Sequence, residues 1–569
     1  MVTVNNDPAH TFSEYRFIPG LTKKEHTIDN IDLKTPVVKH DIKKGEESLL
    51  YLNNPFASAI MQSLGCVKFA HACSLNGLLP TLHCSQPEDN EAEMAYQSKR
   101  IKQGFVDATN VLSSEATLKD IIEVTKNTGY STIPITVDGK KNGKLVGIVT
   151  DSDYWNDDPD LNKKVEDFMT PFEMVFEDDY TIMAKPRKNT KVEKIKERKE
   201  RAKDLFRSMG YDISFEYKKD HVHVIKKMIH GKEGVTLSKA NEIMRKSGRG
   251  RLPIIDNEGN LKALVFQRDH YLHQDNPDEL TDDNRQPVVF AGLNTHDYKT
   301  RAAKVVEAGA DGVAFTSMNG HTEYMAEAIC WMKKNFPGIP VGAGNVIDDE
   351  GFLFLADAEA DFIGVGIGGG SICITQEQLG IGMGQASSVY DVAMARNKYA
   401  EKTGVYIPIY SDGGIVQDYH IALALALGAD FVMMGRYFAG MLESASPRRF
   451  IDGRWVKEYW GEGNDRARNW QRYYQEEGHN LFEQGVDGYV PYLGPMKGIV
   501  KQSLAKIKEI FVHSGCMNMM KFHDNAKMRL ASELSIKEGD AHDMILPQRP
   551  TVNPVIYKLT DDGLIEKTA

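Results

Sequence analysis

The sequence predicts a (β/α)8 TIM barrel interrupted by a second domain built from a tandem repeat. Three observations carry this expectation. Short apolar strands alternate with helices through the C-terminal half. Glycine and polar residues gather after each of those strands. Residues 107–272 have a different texture, in which one strand–turn–strand pattern occurs twice.

The alternation shows first as a weak repeat. EAGADGVAF (307–315), ADAEADFIGVG (356–366) and ALGADFVMMG (426–435) share one grammar. A helix ends in small residues, an Asp follows, and a short apolar strand begins. FPGIPVGAGN (336–345) and GVYIPIYSDGG (404–414) add two more strands. Short buried strands alternating with helices make a parallel sheet covered by helices. The strands are followed in turn by TSMNG, AGN, IGGGSIC, SDGG and RY. A barrel builds its active site at those strand ends. A doubly wound sheet also places loops there. The number of units from about residue 281 onward, with more before residue 110, favours the barrel.

In the inserted domain, STIPITVDGKKNGKLVGIVTDSDY (131–154) and GRLPIIDNEGNLKALVFQRDHY (250–271) read as two copies of one motif. Helical stretches, ATLKDIIEVTKNTG and VTLSKANEIMRKSG, precede them. Such a repeat forms a domain with its own core. A basic insertion, residues 184–233, splits the second copy. Its KVEKIKERKERAKDLFRSMG reads as a solvated amphipathic helix with a small appendage, either a surface embellishment or a basic docking face. The expected organisation is residues 1–106 for the first part of the barrel, 107–272 for the repeat domain, and 273–569 for the remainder.

The chain has 569 residues, a net charge of −11 and a pI of about 5.9. That charge argues against whole-molecule attraction to nucleic acid. The start, MVTVNNDPAHTFSEY, has neither the basic nor the apolar region of a signal peptide. The longest apolar run, 422–435, is too short and interrupted to cross a bilayer. Six cysteines, at 66, 73, 84, 330, 373 and 516, form no CxxC or zinc spacing. A cytoplasmic protein with reduced thiols is expected.

Residues 366–382, GIGGGSICITQEQLGIG, place Cys373 in the most pliable loop. GVGIGG (364–369) matches G-x-G-x-x-G, but three further glycines follow where a dinucleotide-binding turn needs a helix. Glycines let backbone carbonyls or amides converge on an ion or phosphate and let a loop move. A structural cysteine is expected instead within an apolar element, as Cys330 is in AEAICWM. The local sequence leaves both roles open for Cys373.

Taken together, GIGGGSICITQEQLGIGMGQ, SDGGI (411–415), GADFVMMGRYFAG (428–440) and KEYWGEGNDRARNWQRY (457–473) resemble the IMP dehydrogenase / GMP reductase family. They resemble in turn its cysteine loop (366–385), its paired phosphate loops and its mobile flap (455–495). The tandem repeat resembles the CBS pair, or Bateman domain, that this family inserts into its barrel. The resemblance spans nearly the whole chain except 184–233.

The resemblance implies that Cys373 attacks C2 of IMP, that hydride passes to NAD+, and that water then releases XMP. Thr375 matches the threonine beside that water, and Arg472 and Tyr473 are brought to it by the flap. Ser371, Asp412, Gly414, Gly435, Arg436, Tyr459, Glu462, Gly463 and Gln484 match the IMP contacts. Asp412 would hold the ribose hydroxyls, because a carboxylate repels phosphate. Asn345, His296, Tyr324 and Thr316 fall on the dinucleotide side, with His296 and Tyr324 flanking adenine. The carbonyls of Gly368, Gly370 and Cys373 match ligands of a potassium ion, completed by Glu538, Gly539 and Asp540 from a neighbouring subunit. A homotetramer is implied, and so is adenine or guanine nucleotide at the CBS pair.

Three positions depart from the family. Thr316 and Asn319 stand where acids are usual, and Gln376 stands where Arg is usual. Two acids and a base have become neutral together, which avoids leaving one charge unpaired. Two alternatives follow from the family: a GMP reductase using NADPH, toward which the NG of MNGH leans, and a catalytically reduced nucleotide-sensing relative. The long flap with its Arg–Tyr pair, which hydrolysis needs, argues for the dehydrogenase.

Overall fold

The structure is a computed structural model. It describes residues 4–99, 105–107, 110–128, 132–155, 158–178, 200–207, 211–217, 222–235, 237–267, 276–282, 286–467, 482–542, 557–559 and 565–567. It divides into two compact units. One comprises residues 1–99, 278–281 and 287–569, and the other 100–277 and 282–286.

The first unit is a parallel barrel. Its strands are β1 (Phe56–Ser58), β2 (Thr81–Leu82), β3 (Phe290–Leu293), β4 (Gly312–Thr316), β5 (Val341–Val346), β6 (Phe362–Val365), β7 (Ile409–Asp412) and β8 (Phe431–Met434). Neighbours run in chain order from β2 to β8, and β8 pairs with β1. A parallel bridge between Ala57 and Leu79 nearly closes the ring. The helices between and after the strands are α1 (Val67–Leu75), α2 (Glu88–Lys99), α3 (Tyr298–Glu307), α4 (Glu323–Asn335), α5 (Asp349–Asp357), α6 (Gln385–Thr403), α7 (Asp418–Ala426) and α8 (Met496–Ser514).

The repeated Asp of the sequence has a physical job. Asp311, Asp361 and Asp430 immediately precede β4, β6 and β8. Each donates its own N–H to the start of the preceding odd strand and takes that residue's N–H on its carboxylate. The partners are Val289 (2.9 and 2.7 Å), Val341 (2.8 and 2.7 Å) and Ile409 (2.8 and 2.8 Å). A helix cation closes each clamp. Lys99 of α2 lies 2.8 Å from Asp311, Lys333 of α4 pairs with Asp361, and Arg396 of α6 lies 2.9 Å from Asp430. No such Asp precedes β2; its first residue, Thr81, gives its N–H to Ser58 Oγ at the end of β1 (2.8 Å).

Above these clamps the barrel is filled by rings. Phe290, Phe362, Tyr410 and Phe431 are fully buried, and Phe362 lies 5.8, 6.1 and 6.4 Å from the other three. Each of the first three faces a glycine in register: Phe290 opposite Gly312, Phe362 opposite Gly342, Tyr410 opposite Gly364. A Cβ at any of those glycines would enter the facing side chain. Large and small residues alternate, so the layer packs without a void.

The second unit contains two βαββ units. In the first, Leu112–Ser113 runs parallel to Thr132–Thr136, which pairs antiparallel with Leu145–Thr150, and Leu118–Thr128 is the helix. In the second, Gly231–Lys232, Arg251–Ile255 and Leu261–Phe266 repeat that pattern around helix Leu237–Ser247. The insertion differs from expectation. Its end, Gly231–Lys232, is the first strand of the second unit, and its other described strands precede that unit instead of splitting its later strands. It also contains more than a helix. Tyr211–Tyr217 and Val222–Met228 form an antiparallel sheet with Glu173–Asp178, beside a helical stretch at 200–207.

Cys330 also differs. It is exposed, because the helical period turns Met325, Ala328, Ile329 and Met332 of α4 inward instead. All six cysteines are free thiols. Among the described residues no helix is long and apolar enough to cross a membrane.

Asp430 and Arg396 are each 2% exposed. Asp430→Ala leaves the guanidinium buried and unpaired, and should cost about 3–5 kcal/mol. Denaturant unfolding reads this out. Glu533→Gln, which breaks an exposed pair with Lys537, should leave the midpoint unchanged.

Candidate active site

The C-terminal ends of the strands surround a cavity of about 250 Å3. Loops after β1, β4, β6, β7 and β8 line it, with the end of β5 and two stretches of the 455–495 segment. It gathers Cys373, Thr375, Ser371, Gly368 and Gly370 from the loop after β6. Asp412 and Gly414 come from β7 and its loop, and Gly435 and Arg436 from the loop after β8. Tyr459, Glu462, Gly463 and Gln484 come from the flap segment, and Thr316 and Asn345 from the ends of β4 and β5.

Other expected residues stand elsewhere. His296, just beyond β3, and Tyr324, in the first turn of α4, are exposed and do not line the cavity. Glu538 and Gly539 end an exposed helix, Glu533–Gly539, capped by Asp540, and this chain does not bring them to its own cysteine loop. Among the described residues no three His, Cys, Asp or Glu side chains are grouped to hold a metal. Arg472 and Tyr473 lie outside the described residues.

Around the thiol the geometry is specific. Cys373 Sγ lies 3.2 Å from Thr375 Oγ1, and the Thr375 hydroxyl donates to Gln484 Oε1 at 3.2 Å. Because the hydroxyl proton points at Gln484, the thiol is the donor toward Thr375. The flap backbone is laced to the loop: Ile374 N donates to Gln484 O (3.0 Å) and Val486 N to Ile372 O (2.9 Å). Flap position and thiol position are therefore coupled through main-chain bonds.

The loops meet one another through few bonds. Gly414 N donates to Gly369 O at 2.8 Å. Asn345 Nδ2 donates to Gly366 O (2.7 Å) and to Asp412 Oδ2 (2.9 Å). Gln376 Nε2 donates to Ile367 O at 2.9 Å, and its side chain fills the space beside Gly368 and Gly382. Burial, then the nearby Asp412 carboxylate, push the Tyr459 phenol well above its usual range, so it remains a neutral donor. Glu462 spends its carboxylate on the N–H of Gln62 (2.6 Å) and the Ser85 hydroxyl. That tethers the flap base to the loops after β1 and β2.

Several contributors escaped the sequence reading. Ala59–Met61 line the cavity but carry no polar signal. Gln385, the first residue of α6, is buried beneath the loops. Its one mark was to be the lone amide after the glycines of GMGQ.

Fold and site define a (β/α)8 enzyme-type barrel whose strand ends hold a cysteine, a hydroxyl and glycine loops around one cavity. The family model described as IMP dehydrogenase / GMP reductase domain matches residues 9–542. Inosine-5′-monophosphate dehydrogenase of Tritrichomonas foetus is 40% identical over 551 residues, covering 96% of this chain and 99% of that protein. The Schizosaccharomyces pombe protein of the same name is 29% identical, covering 93% and 91%. A crystal structure of GMP reductase from Trypanosoma brucei in complex with guanosine 5′-monophosphate superposes with a TM-score of 0.74 at 22% identity. It covers 95% of this chain and 98% of that one, a likeness of fold. The chain belongs to the IMP dehydrogenase / GMP reductase family.

Behind the loop after β7, buried His420 accepts the Val416 N–H on Nδ1 at 3.2 Å. Burial lowers its pKa below the usual 6.5. The unfolded imidazole binds a proton near pH 6.5 while the folded one does not, so this contribution holds above pH 6.5 and is lost as pH falls below it. His420→Gln should show a shallower loss of stability between pH 6.5 and 5 than the parent, measured by denaturant midpoints. Identical slopes would exclude this role.

Proposed function

We propose that the protein is an IMP dehydrogenase, oxidising IMP to XMP with NAD+ in guanine nucleotide synthesis. The observation that carries this reading is the Cys373–Thr375–Gln484 chain, two steps of 3.2 Å, set against glycine loops in one cavity. The dehydrogenase names of the relatives support it.

In this reading the Gly435 N–H, the Ser371 hydroxyl and Arg436 hold the 5′-phosphate against Gly414, whose own N–H is given to Gly369 O. Asp412 takes the ribose hydroxyls. The neutral Tyr459 donates, and Glu462 and Gly463 by backbone and Gln484 by side chain hold the purine. Cys373 sulfur bonds to purine C2 as a thiolate, its proton leaving along the Thr375 hydroxyl toward solvent. NAD+, when bound, accepts the hydride that leaves C2. The covalent product is then hydrolysed: water adds at C2, and the C2–S bond breaks to return the thiolate. Thr375 turns its hydroxyl between Sγ and Gln484 to follow these two charges. Arg472 and Tyr473 serve the water step.

The dinucleotide side fits a neutral group. Thr316, Ser317, Met318 and Asn345 form that wall, and Asn345 Oδ1 is buried without a hydrogen-bond partner among the described residues. A carboxamide matches that uncharged, polar wall. His296 and Tyr324 hold the adenine outside the cavity. The carbonyls of Gly368, Gly370 and Cys373 hold potassium with Glu538, Gly539 and Asp540 of a neighbouring copy in a homotetramer, since hard oxygens suit that ion. The two βαββ units are CBS motifs that take adenine or guanine nucleotide. The enzyme works in the cytoplasm.

Potassium should be required for NADH formation from IMP and NAD+, followed at 340 nm. Cys373→Ala should lower the rate at least about a thousandfold while IMP binding persists. No NADH from protein that binds IMP would overturn the reading, and NADPH oxidation with GMP would then assign the reductase. Thr316→Asp with Gln376→Arg should lower the KM for NAD+ by about one to two decades, the worth of one charge-assisted contact. An increase would show that the neutral set is itself optimised.

A further inference from the structure

We propose that the N-terminal arm, His10–Glu14, is a strut that sets the two glycine loops of the cavity in register, with Phe12 and Gln385 as positioning residues. The inference rests on the reading of those loops as the holders of IMP.

The arm is rigid by its own sequence. In HTFSE, Thr11 and Glu14 are spaced as a capping box around a 3₁₀ turn, Phe12–Glu14. Glu14 accepts the Thr11 N–H at 2.6 Å and the His10 ring N–H at 2.9 Å. The Thr11 amide, chiefly, keeps the carboxylate pKa low. The knot turns Phe12 inward to 1% exposure. Its ring lies 3.4 Å from where a Gly414 Cβ would stand, and 6.1 Å from the His420 ring.

The arm also caps the helix that ends the cysteine loop. No side chain caps α6. His10 does so with its backbone: its carbonyl accepts Ala386 N (3.0 Å) and Ser387 N (3.3 Å), and its N–H donates to Ser387 Oγ (2.8 Å). A Cβ at Gly384 would come 2.6 Å from that carbonyl, so the approach requires glycine there. Orphan amides at a helix start need such partners.

Gln385 passes this position to both loops. Its amide donates to Val365 O (2.7 Å) and Ser411 Oγ (3.1 Å), the ends of β6 and β7. Its Cβ and Cγ stand 2.9 and 3.0 Å from where a Gly414 side chain would begin, and its amide fills the corresponding space at Gly366. Both glycines have positive φ, +73° and +132°. One side chain thus supports two left-handed turns from behind, and the arm fixes the helix that carries it.

Kinetics and calorimetry of the full chain test this. Phe12→Ala should raise the KM and Kd for IMP about tenfold, with kcat within about threefold and the KM for NAD+ unchanged, the signature of lost uniform binding. Phe12→Leu should restore most of the affinity. Ser387→Ala, which removes one arm bond and touches no cavity residue, should raise the KM for IMP about threefold and covers the case in which Phe12→Ala does not fold. A merely structural arm would lower Tm and active fraction at constant KM. Unchanged KM and Kd for IMP in Ser387→Ala and in folded Phe12→Ala overturns the proposal. Failure of the parent chain to bind IMP would instead overturn the functional reading beneath it.

Discussion

Everything at the top of this barrel depends on a bond made at its bottom. An Asp before an even strand grips both backbone groups at the start of the odd strand beside it, and a helix cation neutralises the Asp. Strand stagger determines where each strand ends, and strand ends determine where Cys373, Asp412 and Gly435 stand. Because the Asp N–H and its carboxylate hold the same residue together, the clamp fixes register in a way apolar packing alone does not. The buried charge is tolerable only because the cation comes with it.

The clamps repeat with every second strand, at β4, β6 and β8, while β2 is instead held at its first N–H by Ser58 at the end of β1. That alternation is the physical origin of the weak repeat in the chain. The ring layer above adds a second constraint. Aromatic residues facing glycines across neighbouring strands mean that a slip of one residue would drive rings into backbone. Polar clamps and apolar jigsaw therefore enforce the same register, and this agreement between levels is what lets the upper loops be rich in glycine and still be placed.

This also explains what could be read in advance. The barrel was legible because clamp and strand are contiguous in the chain, as in GADFVMMG. The cavity loops were legible because glycine and polar residues must follow each strand there. The sheet within the insertion was not, since Glu173–Asp178 pairs with Val222–Met228 across a long stretch of charged sequence. The arm was not, since His10 and Ser387 are 377 residues apart and HTFSE resembles any polar leader. Cys330 misled for the opposite reason: an apolar neighbourhood in sequence is not an apolar side of a helix.

The charges of the cavity are sorted. Asp412, Arg436 and Glu462 stand toward the loops after β7 and β8 and the flap base, and Thr316, Ser317, Met318 and Asn345 make a wall with no charge. Asn345 is the joint between the halves. Both its donors are committed, to Gly366 and Asp412, and its buried oxygen faces no partner among the described residues. A ligand group reaching that wall meets neutral side chains, with the Asp412 carboxylate one amide away. The Asp412 carboxylate is held on the opposite side by the same amide. Gly366, in the loop after β6, is bonded to the same side chain, so that loop and both halves of the cavity share Asn345. A neutral wall that is geometrically tied to the cysteine loop transmits position where a charged wall would transmit field.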